Sequence, residues 1–129
     1  MEWQRPQKIL LVDDEEDFLE TTSRRLIRRG FEVKTAMRCA EALPKVVTGW
    51  PDVVVLDVML PDTDGMECLS RIKQAAPQLP VVMLTGHASL QASVQGLDHG
   101  ASDYCLKPIE LDELVEKLII AFNEASCTR

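Results

Sequence analysis

The chain has 129 residues, 46% of them hydrophobic and 27% charged, with a formal net charge of −7. That length is about one domain, with enough apolar content for a self-sufficient core. The acidic balance argues against a general nucleic-acid or anionic-membrane surface, both of which favour Lys and Arg, and is compatible with a cation site or a basic partner. Cys39, Cys68, Cys105 and Cys127 are widely spaced and include no C-x-x-C pair. They read as reduced thiols, Cys68 and Cys105 being buried fillers rather than redox sites. No segment has the pattern of a signal peptide or the ~20 apolar residues of a membrane span, so a soluble, cytoplasmic protein is expected.

Residues 1–7 read as a tail. Ile9–Val12 is a short apolar run suited to a strand, and Asp13, Asp14, Glu15, Glu16 and Asp17 follow it at once. Phe18, Leu19, Thr22, Leu26 and Ile27 form a helical stripe that stops at Gly30. Phe31–Ala36 alternates apolar and polar residues, as an edge strand does. Ala40–Val47 is a weaker helix, interrupted by Pro44. Val53–Leu56 is the third strand; Asp57 follows it, then the turn-rich PDTDG of residues 61–65. Met66, Leu69, Ile72 and Lys73 mark a helix ended by Pro77. Val81–Leu84 is a fourth strand running into Thr85 and Gly86, and Leu90, Val94 and Leu97 precede Gly100 as a fourth helix. Tyr104–Leu106 is the fifth strand, followed by Lys107 and Pro108. The clearest helix is Glu110–Phe122, and residues 124–129 read as a tail.

Strand and helix thus alternate five times within one domain, residues 8–123, with no repeat or linker. This predicts an α/β fold, a doubly wound parallel sheet of five strands with five helices. In such sheets ligands bind beyond the carboxyl ends of the strands. Those positions hold Asp13, Asp14, Asp57, Thr85 and Lys107. Carboxylates, a hydroxyl and an ammonium would converge there, without histidine or thiol, and suit Mg²⁺ (or Mn²⁺) better than zinc. Taken singly, each has an ordinary explanation: acids opening a solvated helix, a loop aspartate, a capping threonine, a surface lysine. Their joint pattern overrides these, although Glu15, Glu16 and Asp17 still read as a plain helix start and Asp62 and Asp64 as turn residues.

Val12-Asp13-Asp14, LDVMLPDTDG with Asp57, Pro61 and Gly65, LTGHA with Thr85 and Gly86, and GASDYCLKP with Tyr104, Lys107 and Pro108 follow one another in that order along the chain. Together, over about residues 8–122, they resemble the receiver domain of bacterial two-component response regulators, the CheY-like superfamily. The resemblance implies a flavodoxin-like sheet of strand order 2-1-3-4-5. It implies that Asp57 is the phosphoacceptor, attacking the phosphohistidine of a histidine kinase or a histidine phosphotransfer domain. Asp14, Asp57 and the Met59 carbonyl would hold Mg²⁺, with Asp13 acting mainly through a metal-bound water. Lys107 would pair with Asp57 and then with a phosphoryl oxygen. Thr85 and Gly86 would contact the phosphoryl group, and Tyr104 would be the switch aromatic. The Lys107–Pro108 bond is expected to be cis, aiming Lys107 into the crevice. Met59 and His87 stand where this family tunes phosphoryl lifetime; Met59 lacks a polar group to orient water, while His87 is as well explained as an exposed loop residue. The output face would be Ala88–Phe122, acting on an output domain or partner protein and able to mediate a homodimer.

Other readings fit less well. A haloacid-dehalogenase-type phosphatase wants a second aspartate where Met59 stands, and a cap domain. A flavodoxin-type flavin carrier wants a hydroxyl- and glycine-rich phosphate loop after the first strand, where the acids would repel phosphate. A degenerate receiver would lack site residues that are all present here. The expectation is a signalling receiver, not an enzyme beyond its own phosphoryl transfer and slow autodephosphorylation. The kinase, signal, output, oligomeric state and phosphoryl lifetime are not legible. Between a stand-alone receiver and a piece of a longer regulator, residues 86–108 lean toward the latter.

Overall fold

The apolar runs form β1 (Lys8–Val12), β2 (Glu32–Ala36), β3 (Val53–Leu56), β4 (Val81–Thr85) and β5 (Asp103–Leu106) in a computed structural model that describes residues 3–86 and 97–127. They make one parallel sheet in the order β2-β1-β3-β4-β5, the expected topology. Strands buried on both faces can be apolar throughout. Leu10, Val12, Val54, Leu56, Val81 and Met83 face one core with Val46, Leu69 and Ile72; Ile9, Leu11, Val53, Val55, Val82 and Leu84 face another with Leu19, Leu26, Leu114 and Leu118. At the edge, β2 buries only Ala36 fully.

Among the described residues the helices with full bounds are α1 (Glu16–Arg28), α2 (Cys39–Val47), α3 (Gly65–Ala75) and α4 (Leu111–Cys127). The helix expected at Leu90, Val94 and Leu97 lies outside the described residues except for Leu97 and Asp98, which are helical. α4 runs past its expected end at Phe122 to Cys127. α2 is not interrupted by Pro44: the turn continues, and the Thr48 N–H donates to the Pro44 carbonyl at 3.3 Å. An interior proline costs about 3 kcal/mol, and burial of Cys39, Ala42 and Val46 on one face of α2 offsets it.

Cys39 and Cys68 are not the reduced thiols expected. They form a disulfide across 29 positions of sequence, with Cα atoms 5.8 Å apart. One opens α2 and the other lies in α3, and only the packing of those helices side by side brings the sulfurs together. Cys105 is a free, buried thiol, as read; burial raises its pKa to about 11.

Residues 4–7, though in no helix or strand, are tied down. The Gln4 N–H donates to Asn123 Oδ1 at 2.9 Å, and Asn123 Nδ2 donates to the Gln4 carbonyl at 2.6 Å. Arg5 donates to the Arg29 carbonyl and stands 4.0 Å above the Phe31 ring. The N–H groups of Gln7 and Lys8 share Asp52 Oδ2. Among the described residues no helix is long and apolar enough to cross a membrane.

Candidate functional site

Sheet register brings the strand ends level. Val12 pairs with Leu56, and the Asp57 N–H donates to the Val12 carbonyl at 2.9 Å, so Asp13 and Asp57 leave neighbouring strands side by side. Asp13, Asp14 and Asp57 each present a carboxylate oxygen within 4.8 Å of the others. Asp13 and Asp57 are buried; Asp14 is exposed. On the other side of the crevice Thr85, fully buried, ends β4, and its carbonyl accepts the Lys107 N–H at 2.8 Å. The Lys107–Pro108 bond is cis. Gly86 is exposed, and a Cβ there would meet nothing within 4 Å. Pro108 is exposed, Tyr104 half-buried and Met59 exposed. His87 lies outside the described residues.

Lys107 reaches into the crevice, but its closest partners are Asp13 Oδ2 at 2.6 Å and Glu15 Oε1 at 2.7 Å; Asp57 Oδ2 is 3.9 Å away. Its ammonium also lies 4.2 Å over the Phe18 ring, a cation–π contact. Glu15 is therefore more than the solvated helix start read from the sequence: it precedes α1 and shares the lysine. Asp13 is occupied twice, since its Oδ1 accepts the Glu15 N–H at 2.9 Å.

Burial raises the Asp13 pKa, against the lowering effect of its bond to Lys107, and the charge of Asp57 adds to the rise. Burial works against the charge of Lys107, yet its hydrogen bonds to Asp13 and Glu15 and the nearby acids hold its pKa above the ordinary value. Both shifts favour a bound proton, but by different routes: poor hydration raises Asp13, whereas the surrounding carboxylates raise Lys107 against the effect of burial. Tyr104 is shifted up as well, by burial and then by the charge of Asp57. Such a crevice attracts added positive charge. Among the described residues its donors are hard carboxylate oxygens, with no imidazole or thiolate among them, which fits an oxygen-seeking divalent ion.

The segment after Asp57 is a closed loop. Met59 and Asp64 form an antiparallel bridge, and the Gly65 N–H donates to the Val58 carbonyl at 2.6 Å. Asp62 and Asp64, read as turn residues, are both caps. Asp64 accepts the Met66 N–H at 2.9 Å at the start of α3. Asp62 reaches across to α2 and accepts the N–H groups of Cys39 and Ala40, each at 3.0 Å. The sequence carried a signal for the first, an aspartate before a helical stripe, and none for the second, which depends on tertiary placement.

The response regulator receiver domain family matches residues 9–119. The transcriptional regulatory protein TrcR of Mycobacterium tuberculosis is 42% identical over 113 residues, 88% of this chain and 44% of its own length. The chain spans about half the length of the curated relatives it matches. Among solved structures, a CheY-like receiver domain from Methanospirillum hungatei superposes with a TM-score of 0.89 at 33% identity, covering 95% of this chain and 98% of that one. A response regulator from Burkholderia pseudomallei, with a phosphorylated aspartic acid, a calcium ion and citrate, gives 0.83 at 28% identity over 95% of this chain and 72% of that one. With the family's match spanning residues 9–119 and the sheet in the order β2-β1-β3-β4-β5, the chain belongs to the response regulator receiver domains of two-component signalling.

Proposed function

We propose that Asp57 is the phosphoacceptor of this receiver, taking a phosphoryl group from the phosphohistidine of a cytoplasmic histidine kinase or histidine phosphotransfer domain. The observation that carries this is the gathering of Asp13, Asp14 and Asp57 within 4.8 Å, with the Lys107 ammonium beside them. An Asp57 carboxylate oxygen attacks phosphorus; the P–N bond to histidine breaks as the P–O bond forms. Attack of one anion on another is slow in water, and positioning with charge neutralisation supplies most of the acceleration. Held by Asp14, Asp57 and the Met59 carbonyl, with Asp13 acting through water, Mg²⁺ would supply the positive charge between acceptor and phosphoryl oxygens.

The chain's own groups do the rest. Asp57 is fixed by its N–H bond to Val12 and by the Met59 N–H, which donates to its Oδ1 at 3.3 Å. Lys107 exchanges Glu15 for a phosphoryl oxygen. The Thr85 hydroxyl and the open N–H of Gly86 take the others, and Tyr104, half-buried beside this movement, turns inward. A phosphoryl group shifts the equilibrium only by binding one arrangement better than the other. The Ala88–Phe122 face then acts on an output domain, a partner protein or a second copy. A transcriptional output is favoured by the kinship with TrcR.

Incubation with Mg²⁺ and acetyl phosphate, followed by intact-mass measurement, tests the assignment. A gain of one phosphoryl group that Asp57→Asn abolishes is expected; a gain that survives in Asp57→Asn refutes it.

A further inference from the structure

Cys39 and Cys68 play no part in the site as described, yet they close a circuit around its loop. Both are fully buried and bonded to one another. From Cys39 the circuit passes through its N–H to the Asp62 carboxylate, then along the chain to Asp64. The Asp64 carbonyl accepts the Cys68 N–H at 3.0 Å, and the Cys68 sulfur returns to Cys39. The loop that leaves Asp57 is therefore moored at Asp62 to the start of α2, and the start of α2 is moored to α3 by sulfur. Met59, whose carbonyl is assigned to the cation, lies just before this circuit and is tied to it by its antiparallel bridge to Asp64.

We propose that Cys39 and Cys68 are a redox-reversible clamp on the Val58–Asp64 loop, so that the oxidation state of the pair sets how fast Asp57 is phosphorylated. The rate part rests on the reading of Asp57 as the acceptor. Closing the clamp takes two electrons and two protons from the two thiols. A small-molecule disulfide accepts them and leaves as two thiols; a dithiol reverses the step and is itself oxidised to a cyclic disulfide. Bonds of this kind in a reducing compartment are typically transient and redox-sensing. Because both sulfurs are buried, exchange needs the first turn of α2 to lift, and that releases the Asp62 cap in the same motion. Bond and cap thus open together, coupling the thiol pair to the loop through contiguous packed elements. With the clamp closed the loop is preorganised for the cation and the phosphoryl donor; with it open, part of the binding energy goes into ordering the loop.

The test compares the purified protein treated with oxidised glutathione, the same protein treated with dithiothreitol, and Cys39→Ser. Intact mass with thiol alkylation reads the bond, hydrogen exchange reads the amides of residues 59–68, and acetyl phosphate with Mg²⁺ gives the phosphorylation rate. Expected are a bond that dithiothreitol removes, slower exchange in the oxidised form, and phosphorylation about fivefold faster there, at the low end of typical couplings between sites. Cys39→Ser should match the reduced protein and ignore dithiothreitol. The clamp is overturned by a pair that never bonds, or by identical exchange in the two forms. The coupling is overturned by equal phosphorylation rates in forms that exchange differently. If neither form takes up phosphate, the acceptor reading falls and the rate claim with it, while the exchange data still decide the clamp.

Discussion

Lys107 stands 2.6 Å from Asp13 and 3.9 Å from Asp57, held toward the near side of the crevice with Glu15 as its second partner at 2.7 Å. Its move to a phosphoryl oxygen must break the Glu15 contact. Glu15→Gln should therefore speed phosphorylation by acetyl phosphate. The Glu15 side chain is 62% exposed, so solvent screening keeps the gain to about two- to threefold. The difference from wild type should shrink at high salt. Equal time courses at low salt would sink the idea that Glu15 competes for the lysine.

Gly65 is where the loop after Asp57 closes. An added Cβ would press on the Val58 carbonyl and lie 2.5 Å from the carbonyl oxygen of Asp57, both backbone atoms that cannot rotate aside. Gly65→Ala should cost about 1–3 kcal/mol in urea unfolding, as overpacking does. It should also slow phosphorylation, because the strain falls on Asp57 itself. Unchanged stability and rate would show that the loop gives way freely.

Asp62 supplies an acid-sensitive tie. Its pKa is lowered, chiefly by the Ala40 N–H it accepts and also by the Cys39 N–H. A carboxylate with a native pKa below its unfolded value of 3.8 contributes stability above that value, lost as pH falls through the native one. Thermal melts at descending pH should show this loss in wild type and a flatter acid limb in Asp62→Asn. A carboxyl resonance of Asp62 that titrates at or above 3.8 would contradict the assignment.

Met59 is 55% exposed beside the acceptor and carries no polar atom to orient attacking water. Met59→Asn should shorten the phosphoryl lifetime severalfold, measured as the decay of phosphorylated protein after the donor is removed. A decay rate equal to wild type would refute the role.

Local pattern revealed most of the fold. Val53–Leu56 and Val81–Leu84 are apolar at every position because helices cover both sheet faces, and such runs stand out in a sequence. Pro44 misled because propensity is local, whereas the burial that keeps α2 helical comes from its packing. Asp13, Asp14, Asp57 and Lys107 were legible because strand ends converge whatever lies between them. Glu15 was hidden by a run of acids that all look alike: only the lysine, 92 positions away, distinguishes it. The same holds for Asp62 and for the Cys39–Cys68 pair, whose partners are neighbours in space alone.

Gln4 and Asn123 grip each other across 119 positions of sequence. The partner that Gln4 needs exists only once α4 has settled on a finished sheet, and Arg5 likewise waits for the end of α1. Contacts this late in the assembly are expected to slow unfolding and leave folding speed almost untouched, so Asn123→Ala should unfold faster in stopped-flow chevrons with its folding arm unchanged. The opening residues act as a latch: idle while the molecule assembles, they come into use only when it starts to come apart.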